Sequence, residues 1–148
     1  MATWNDVAAV LFPDVTRTPE DYETMYPPRN LAEGARVTRV APSPTGYLHL
    51  GVFYSALIDR LTADASKGLF YFRLEDTDKK REVEGGADDI LASLNRFGLP
   101  IDEGFVAPGK VVGDYGSYVQ SERVEIYHTF VKWLVENERA YPCFCKPE

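Results

Sequence analysis

The stretch Val37-Thr38-Arg39-Val40-Ala41-Pro42-Ser43-Pro44-Thr45-Gly46-Tyr47-Leu48-His49-Leu50-Gly51 decides how the rest of the chain is read. Val37 to Ala41 read as a short strand, and the two prolines and Gly46 turn it into a rigid loop aimed at a helix start. The helix is carried by Leu50, Phe53, Tyr54, Leu57, Ile58, Leu61 and Ala65, which recur at helical spacing and are expected to face inward. Gly68 is placed to end it. Leu69 to Leu74 then run apolar except for Arg73, as in a strand of a parallel sheet covered on both faces. Strand, helix and strand make a βαβ unit, and the fold class is α/β.

Working outward, a second helix fits Val83 to Phe97, with Val83, Ala87, Ile90, Leu91, Leu94 and Phe97 on one face and Gly98 and Pro100 behind it. Residues 99–119 are rich in glycine and proline and read as loop, with one short strand around Val111. A third helix starts near Ser121 and points Val124, Tyr127, Phe130, Val131 and Leu134 inward. Upstream, Asn5 to Phe12 read as a short helix closed by Pro13. Thr18, Pro19, Glu20 and Asp21 mark another, as N-cap, first helical residue and acidic first turn. The expected organisation is an N-terminal extension over residues 1–36 that covers the outside of the domain, a main body over 37–139, and a new strand opening in 140–148.

Composition narrows the function. With 148 residues, 45% of them hydrophobic, the chain can bury one sizeable core. Its net charge of −7 excludes a protein that holds nucleic acid by its overall field, so any RNA contact must be local. No apolar run is long enough to span a bilayer, and the N-terminus lacks the features of a secretory signal. Cys143 and Cys145, one residue apart, suit reduced thiols better than a disulfide framework, so a cytoplasmic protein is expected.

In an open parallel sheet, ligands bind where the strands' C-terminal ends line a crevice. Both informative segments end there. The first strand runs into Pro42 to Gly51, whose helix start offers unpaired N–H groups and partial positive charge to a phosphate. The second runs into Arg73-Leu74-Glu75-Asp76-Thr77-Asp78, where Arg73 and Glu75 share one face. His49 stands at the mouth of the first helix. Spacing alone leaves two readings of it: a ligand-binding group, with Gly51 letting a ligand approach the backbone, or a helix cap, with Gly51 relieving crowding.

Taken together, the segment Arg39 to Gly51, the segment Arg73 to Asp78 and the block Gln120-Ser121-Glu122-Arg123 closely resemble the glutamyl-tRNA synthetases, a class I aminoacyl-tRNA synthetase family. His49-Leu50-Gly51-Val52 stands where that family has its HIGH signature, with valine for the last histidine, as is usual in the glutamyl branch. The resemblance covers residues 37–148. It implies the first half of a Rossmann-like parallel-sheet catalytic domain after a short helical N-terminal extension, with residues 140–148 beginning an acceptor-stem-binding insertion. The implied reaction is ATP-dependent activation of L-glutamate to glutamyl-adenylate, then transfer to the 3′ end of tRNA-Glu.

By the same resemblance, Arg39 pairs with a carboxylate of glutamate, Ala41 and Ser43 line its pocket, and Glu75 takes the α-ammonium. His49, Gly51 and Thr45 bind ATP at the helix start, His49 and Thr45 stabilising the phosphates during attack. ATP enters with Mg²⁺; tRNA-Glu is the partner, no membrane is involved, and a monomer is expected. The family's lysine-bearing ATP loop and anticodon-binding region have no counterpart in these residues, so the chain alone is expected to be inactive. Some members carry a Cys-x-Cys like Cys143 and Cys145 as half of a zinc site completed downstream. Two thiols do not close such a site, and reduced structural thiols are the weightier reading. Glu75, Asp76 and Asp78 offer too few oxygens for a dedicated metal site.

Two rival functions remain at this level. One is a paralogue that glutamylates queuosine in tRNA-Asp with the same activating core; the other is a non-catalytic module that binds glutamate or ATP. The Ala41-Pro42-Ser43 segment follows the glutamyl rather than the glutaminyl pattern.

Overall fold

The structure is a computed structural model that describes residues 2–146. Met1 of the expected extension, and residues 147 and 148 of the expected insertion, lie outside them. The chain divides into two compact units, one of residues 28–122 and one that joins the first 27 residues to those from 123 onward.

The 28–122 unit is built on a sheet of four strands in the order β1-β2-β3-β4, namely Val37–Val40, Leu69–Phe72, Glu103–Ala107 and Lys110–Val112. β1 pairs parallel with β2, Val37 opposite Leu69 and Val40 opposite Phe72, and β2 pairs parallel with β3. Helix α3 (Leu50–Ala65) connects β1 to β2 and helix α4 (Gly86–Arg96) connects β2 to β3, which makes two βαβ crossovers. The expected α/β class is what the chain adopts. The core holds Val40, Phe70, Phe72, Ile90, Leu94, Leu99 and Phe105.

Three expectations need correction here. The apolar stripe of α3 does not face inward: Leu50, Tyr54, Leu57, Ile58 and Leu61 are exposed, and the helix buries Ala56 and Ala63 instead. Alanine leaves the helix backbone close to the sheet, whereas Leu50, Tyr54 and Leu57 line an open 560 Å³ cavity with Phe53, Phe97 and Leu99. Helix α4 begins at Gly86 rather than Val83, because Gly85 takes a left-handed conformation (φ 74°) that no helix can run through. Val83 and Phe97 are then left exposed.

The third correction is the hairpin. Residues 99–119 hold two strands, and β3 escapes a sequence reading because Glu103 and Gly104, both poor strand formers, make up the start of its five residues. That glycine is required: its φ is +134°, and a Cβ there would fall 2.2 Å from the carbonyl oxygen of Phe72 on the neighbouring strand. β3 turns back into β4 through Pro108-Gly109, with Phe105 opposite Val111.

The second unit comprises α1 (Trp4–Leu11), α2 (Pro19–Met25) and α5 (Val124–Glu136). Thr3 with Asp6, and Thr18 with Asp21, form reciprocal capping boxes that supply partners for first-turn N–H groups. Both helices pack on α5. Tyr22 lies 6.3 Å from the Phe130 ring, Phe12 lies 5.6 Å from His128, and Lys132 donates to the Val15 carbonyl at 2.8 Å. The inward residues of α5 are Thr129 and Val135, not the expected Val124, Phe130 and Val131, which are exposed. Among the described residues, 140–146 form no strand, so the one expected to open there is absent from them.

Candidate functional site

Two neighbouring parallel strands bring the site together. Beyond the last ladder pair the chains stay in register: Arg73 N–H donates to the Val40 carbonyl at 3.1 Å and Glu75 N–H to the Pro42 carbonyl at 3.0 Å. The Pro42–Pro44 loop is held from a third side, because the Pro44 carbonyl accepts from Val83 N–H at 2.9 Å and Pro44 itself is fully buried. Prolines with fixed φ and anchored carbonyls make this loop a rigid lip. Ser43 Oγ donates to the Glu75 carbonyl at 2.8 Å and ties the two strand ends together.

The Glu75 carboxylate is the electrostatic centre. Its Oε1 lies 2.9 Å from Arg73 Nη2 and 3.5 Å from Arg39 Nη1, while Oε2 takes no hydrogen bond among the described residues. Arg39, Ala41, His49 and Gly51 line one 420 Å³ cavity with Pro42, Val52, Ser55 and Asp59. Burial pushes the Asp59 carboxyl above its ordinary value, against the opposing pull of Arg39. The lining thus carries one cation, Arg39, and one anion, Asp59, while Glu75 and Ser43 are not among the residues that line it.

His49 occupies the N-cap position of α3, yet its side chain makes no cap hydrogen bond. The imidazole is exposed and not spent on the helix. A Cβ at Gly51 would fall 3.1 Å from His49 Cε1 and Nδ1, so the missing side chain makes room for that ring. Gly51 both makes room for that ring and lines the cavity, so these contacts agree with either reading of it.

Thr45 is half-buried in the loop and is not among the residues lining the cavity. Cys143 and Cys145 are exposed and belong to the other compact unit. Hydrogen bonds from the Cys145 backbone and thiol hold the Cys143 thiol below its ordinary value. Among the described residues no group of three or more His, Cys, Asp or Glu is arranged to hold a metal. Two thiols fall short of the four ligands a structural zinc takes, and the residues present do not fit that ion.

Sequence reasoning weighed Asp76 only as one carboxylate of an incomplete metal site, whereas the structure has it bracing two segments. It is 5% exposed and accepts from Ser121 N–H at 2.8 Å, Ser121 Oγ at 2.6 Å and Lys79 Nζ at 2.7 Å. Burial acts to raise its pKa, but the hydrogen bonds from Lys79 and Ser121 outweigh it and hold the carboxyl below its ordinary value. Leu74 adds an isolated parallel bridge to Val119. Two motifs about 45 residues apart are thereby one assembly, the separation being too long for any local pattern to reveal.

The model of the class I tRNA synthetases (E and Q), catalytic domain, matches residues 36–148. The chain belongs to this synthetase family. It is 51% identical over 146 residues to the glutamate–tRNA ligase of Acetivibrio thermocellus, a match covering 98% of this chain and 27% of that relative. Against the glutamate–tRNA ligase of Clostridium beijerinckii the identity is 49%, over 99% of this chain and 26% of the relative. Among solved structures, the glutamate–tRNA synthetase of Elizabethkingia anophelis superposes with a TM-score of 0.61 at 41% identity, covering 70% of this chain and 20% of that one. The chain thus spans about a quarter of the length of the curated relatives it matches. Among the described residues no helix is long and apolar enough to cross a membrane.

Proposed function

We propose that this chain supplies the glutamate-activating site of a glutamate–tRNA ligase that acts in the cytoplasm on L-glutamate, ATP and tRNA-Glu. The observation that carries the reading is the Arg39–Glu75 pair, opposite charges brought together by adjacent strands, with Arg39 also lining a cavity at the start of a helix. Glutamate bears two carboxylates and one ammonium, so a site for it needs cation and anion held a few ångströms apart. Arg39 takes a carboxylate. Glu75, whose Oε2 has no partner among the described residues, takes the ammonium. Ala41 and Ser43 form the wall between them, with residues 37–139 acting as the first half of the catalytic domain and 140–148 as the start of the acceptor-stem insertion.

ATP docks its phosphates at the start of α3, where first-turn N–H groups and the exposed His49 imidazole point outward, with Thr45 on the approaching loop. Mg²⁺ enters with the nucleotide and offsets phosphate charge. The substrate carboxylate attacks the α-phosphorus and the P–O bond to pyrophosphate breaks; a terminal ribose hydroxyl of the tRNA then attacks the acyl carbon of the mixed anhydride, the C–O bond to phosphate breaks, and AMP leaves with the hydroxyl proton passing to solvent or to the leaving phosphate. No side chain needs to act as a nucleophile. What the chain supplies is positioning and charge stabilisation.

The test is ATP–pyrophosphate exchange by the natural full-length protein with tRNA present. Glutamate should support exchange and glutamine should not; exchange driven by glutamine alone would sink the substrate assignment. His49→Ala should lower kcat by about 10²–10³, the usual cost of one transition-state donor, with little change in glutamate KM.

A further inference from the structure

We infer that Arg73 is a positioning residue for this site, one that holds the Glu75 carboxylate away from Arg39 so that both charges remain available to glutamate. The inference rests on the reading just given and deepens it. One carboxylate oxygen faces two guanidinium groups, and they are not equivalent. Arg73 Nη2 makes a hydrogen bond to Glu75 Oε1 at 2.9 Å, whereas Arg39 Nη1 stands at 3.5 Å, close enough for attraction and too far for a hydrogen bond.

Burial separates them further. The Arg73 side chain is 19% exposed and that of Arg39 39% exposed. Arg73 Nε is buried with no hydrogen-bond partner among the described residues, so Glu75 is the one acceptor its guanidinium meets there. A desolvated cation with a single anionic partner holds that partner firmly. Arg39, half in water and without a hydrogen bond to break, can turn to an incoming carboxylate at little cost. Without Arg73 the nearest cation to Glu75 is Arg39. The two would then close on each other, and the site would neutralise itself before substrate arrived.

The experiment is steady-state aminoacylation by the natural full-length protein carrying Arg73→Met, Arg73→Lys, Glu75→Gln and the Arg73→Met/Glu75→Gln pair. Arg73→Met should raise glutamate KM about tenfold, a change in keeping with coupling between contacting charged residues, and move ATP KM less than about twofold. Arg73→Lys should restore most of the loss, since an ammonium still reaches Oε1. Because Arg73 acts through Glu75, the Met substitution should add less than about threefold in the Glu75→Gln background.

A merely structural role would instead lower kcat and raise both KM values together, without rescue by lysine, and that result overturns the inference. Unchanged glutamate KM in Arg73→Met beside a loss in Glu75→Gln overturns it alone. Unchanged KM in Glu75→Gln overturns the glutamate-site reading itself, and the inference with it. If Arg73→Met does not fold, Arg73→Gln, polar but uncharged, replaces it: a rise in glutamate KM of at least about threefold with ATP KM unchanged supports the inference, and parallel changes in both KM values or no change in glutamate KM overturn it.

Discussion

Two carboxylate–arginine clusters in the 28–122 unit use the same chemistry to opposite ends. Glu103 is saturated. Arg29 engages it through both terminal nitrogens, the Tyr118 hydroxyl donates to Oε2 at 2.7 Å, and Arg29 stacks 3.7 Å from the Tyr115 ring centroid, with both charged side chains under one-fifth exposed. Burial, and after it Glu103, pushes the Tyr118 hydroxyl up, so it stays protonated and keeps donating. Glu75 is unsaturated: one oxygen serves Arg73 and Arg39 unequally, the other has no partner among the described residues, and a cavity opens beside the pair. A carboxylate with both oxygens engaged binds two segments of chain together. One with capacity left over can bind something else.

The largest effect that would break this comparison is on the saturated side. Arg29→Met should cost about 3 kcal/mol in urea unfolding, because it leaves a mostly buried carboxylate without its cation. A loss below about 1 kcal/mol would show that the cluster is no more than a surface ion pair.

The pH dependence sharpens the same point. Burial acts to raise the Glu103 pKa, but Arg29 and Tyr118 hold it below its ordinary value of 4.5. A depressed folded-state pKa contributes stability in full above the unfolded value, and that contribution is lost as pH falls through the folded value. With Arg29 gone, burial dominates and the sign reverses. Stability of Arg29→Met should therefore fall less steeply than that of the parent between about pH 5 and about pH 3, measured by chemical denaturation at each pH. Parallel curves would count against the assignment.

Smaller effects belong to the open cluster. Glu75→Gln should abolish most glutamate affinity yet cost clearly less stability than Arg29→Met, about 1–2 kcal/mol, since the amide oxygen still accepts from Arg73 and the carboxylate is one-third exposed. A stability loss as large as that of Arg29→Met would erase the distinction between the two clusters. Ser43→Ala should cost about 1 kcal/mol, the usual net value of one hydrogen bond, here the link to the Glu75 carbonyl.

Much of this arrangement can be read before any coordinates. The rigid Pro/Gly lip, the first crossover, the N-cap at Thr18 and the face shared by Arg73 and Glu75 all follow from local rules of backbone geometry and alternation, whereas the second crossover depends on β3, which no local pattern marked. The inward face of α3 does not. Hydrophobicity marks Leu50, Leu57 and Leu61, but the sheet accepts the narrow face of Ala56 and Ala63, since a close approach of backbones can bury more than a wide one with large side chains.

The sequence by itself determined the α/β class, the loop and helix start that await a phosphate, and which residue types stand at the strand ends, because each depends on neighbours within a few positions. Only the tertiary structure decided how the charges are shared. That Arg73 rather than Arg39 holds Glu75, that Asp76 locks Ser121 beside it, and that Arg29 is consumed by Glu103 depend on distances between segments far apart in the chain. A charge at the surface and one in a half-buried cluster are the same letter in the sequence; their solvation, and so their chemistry, is set by what folds against them.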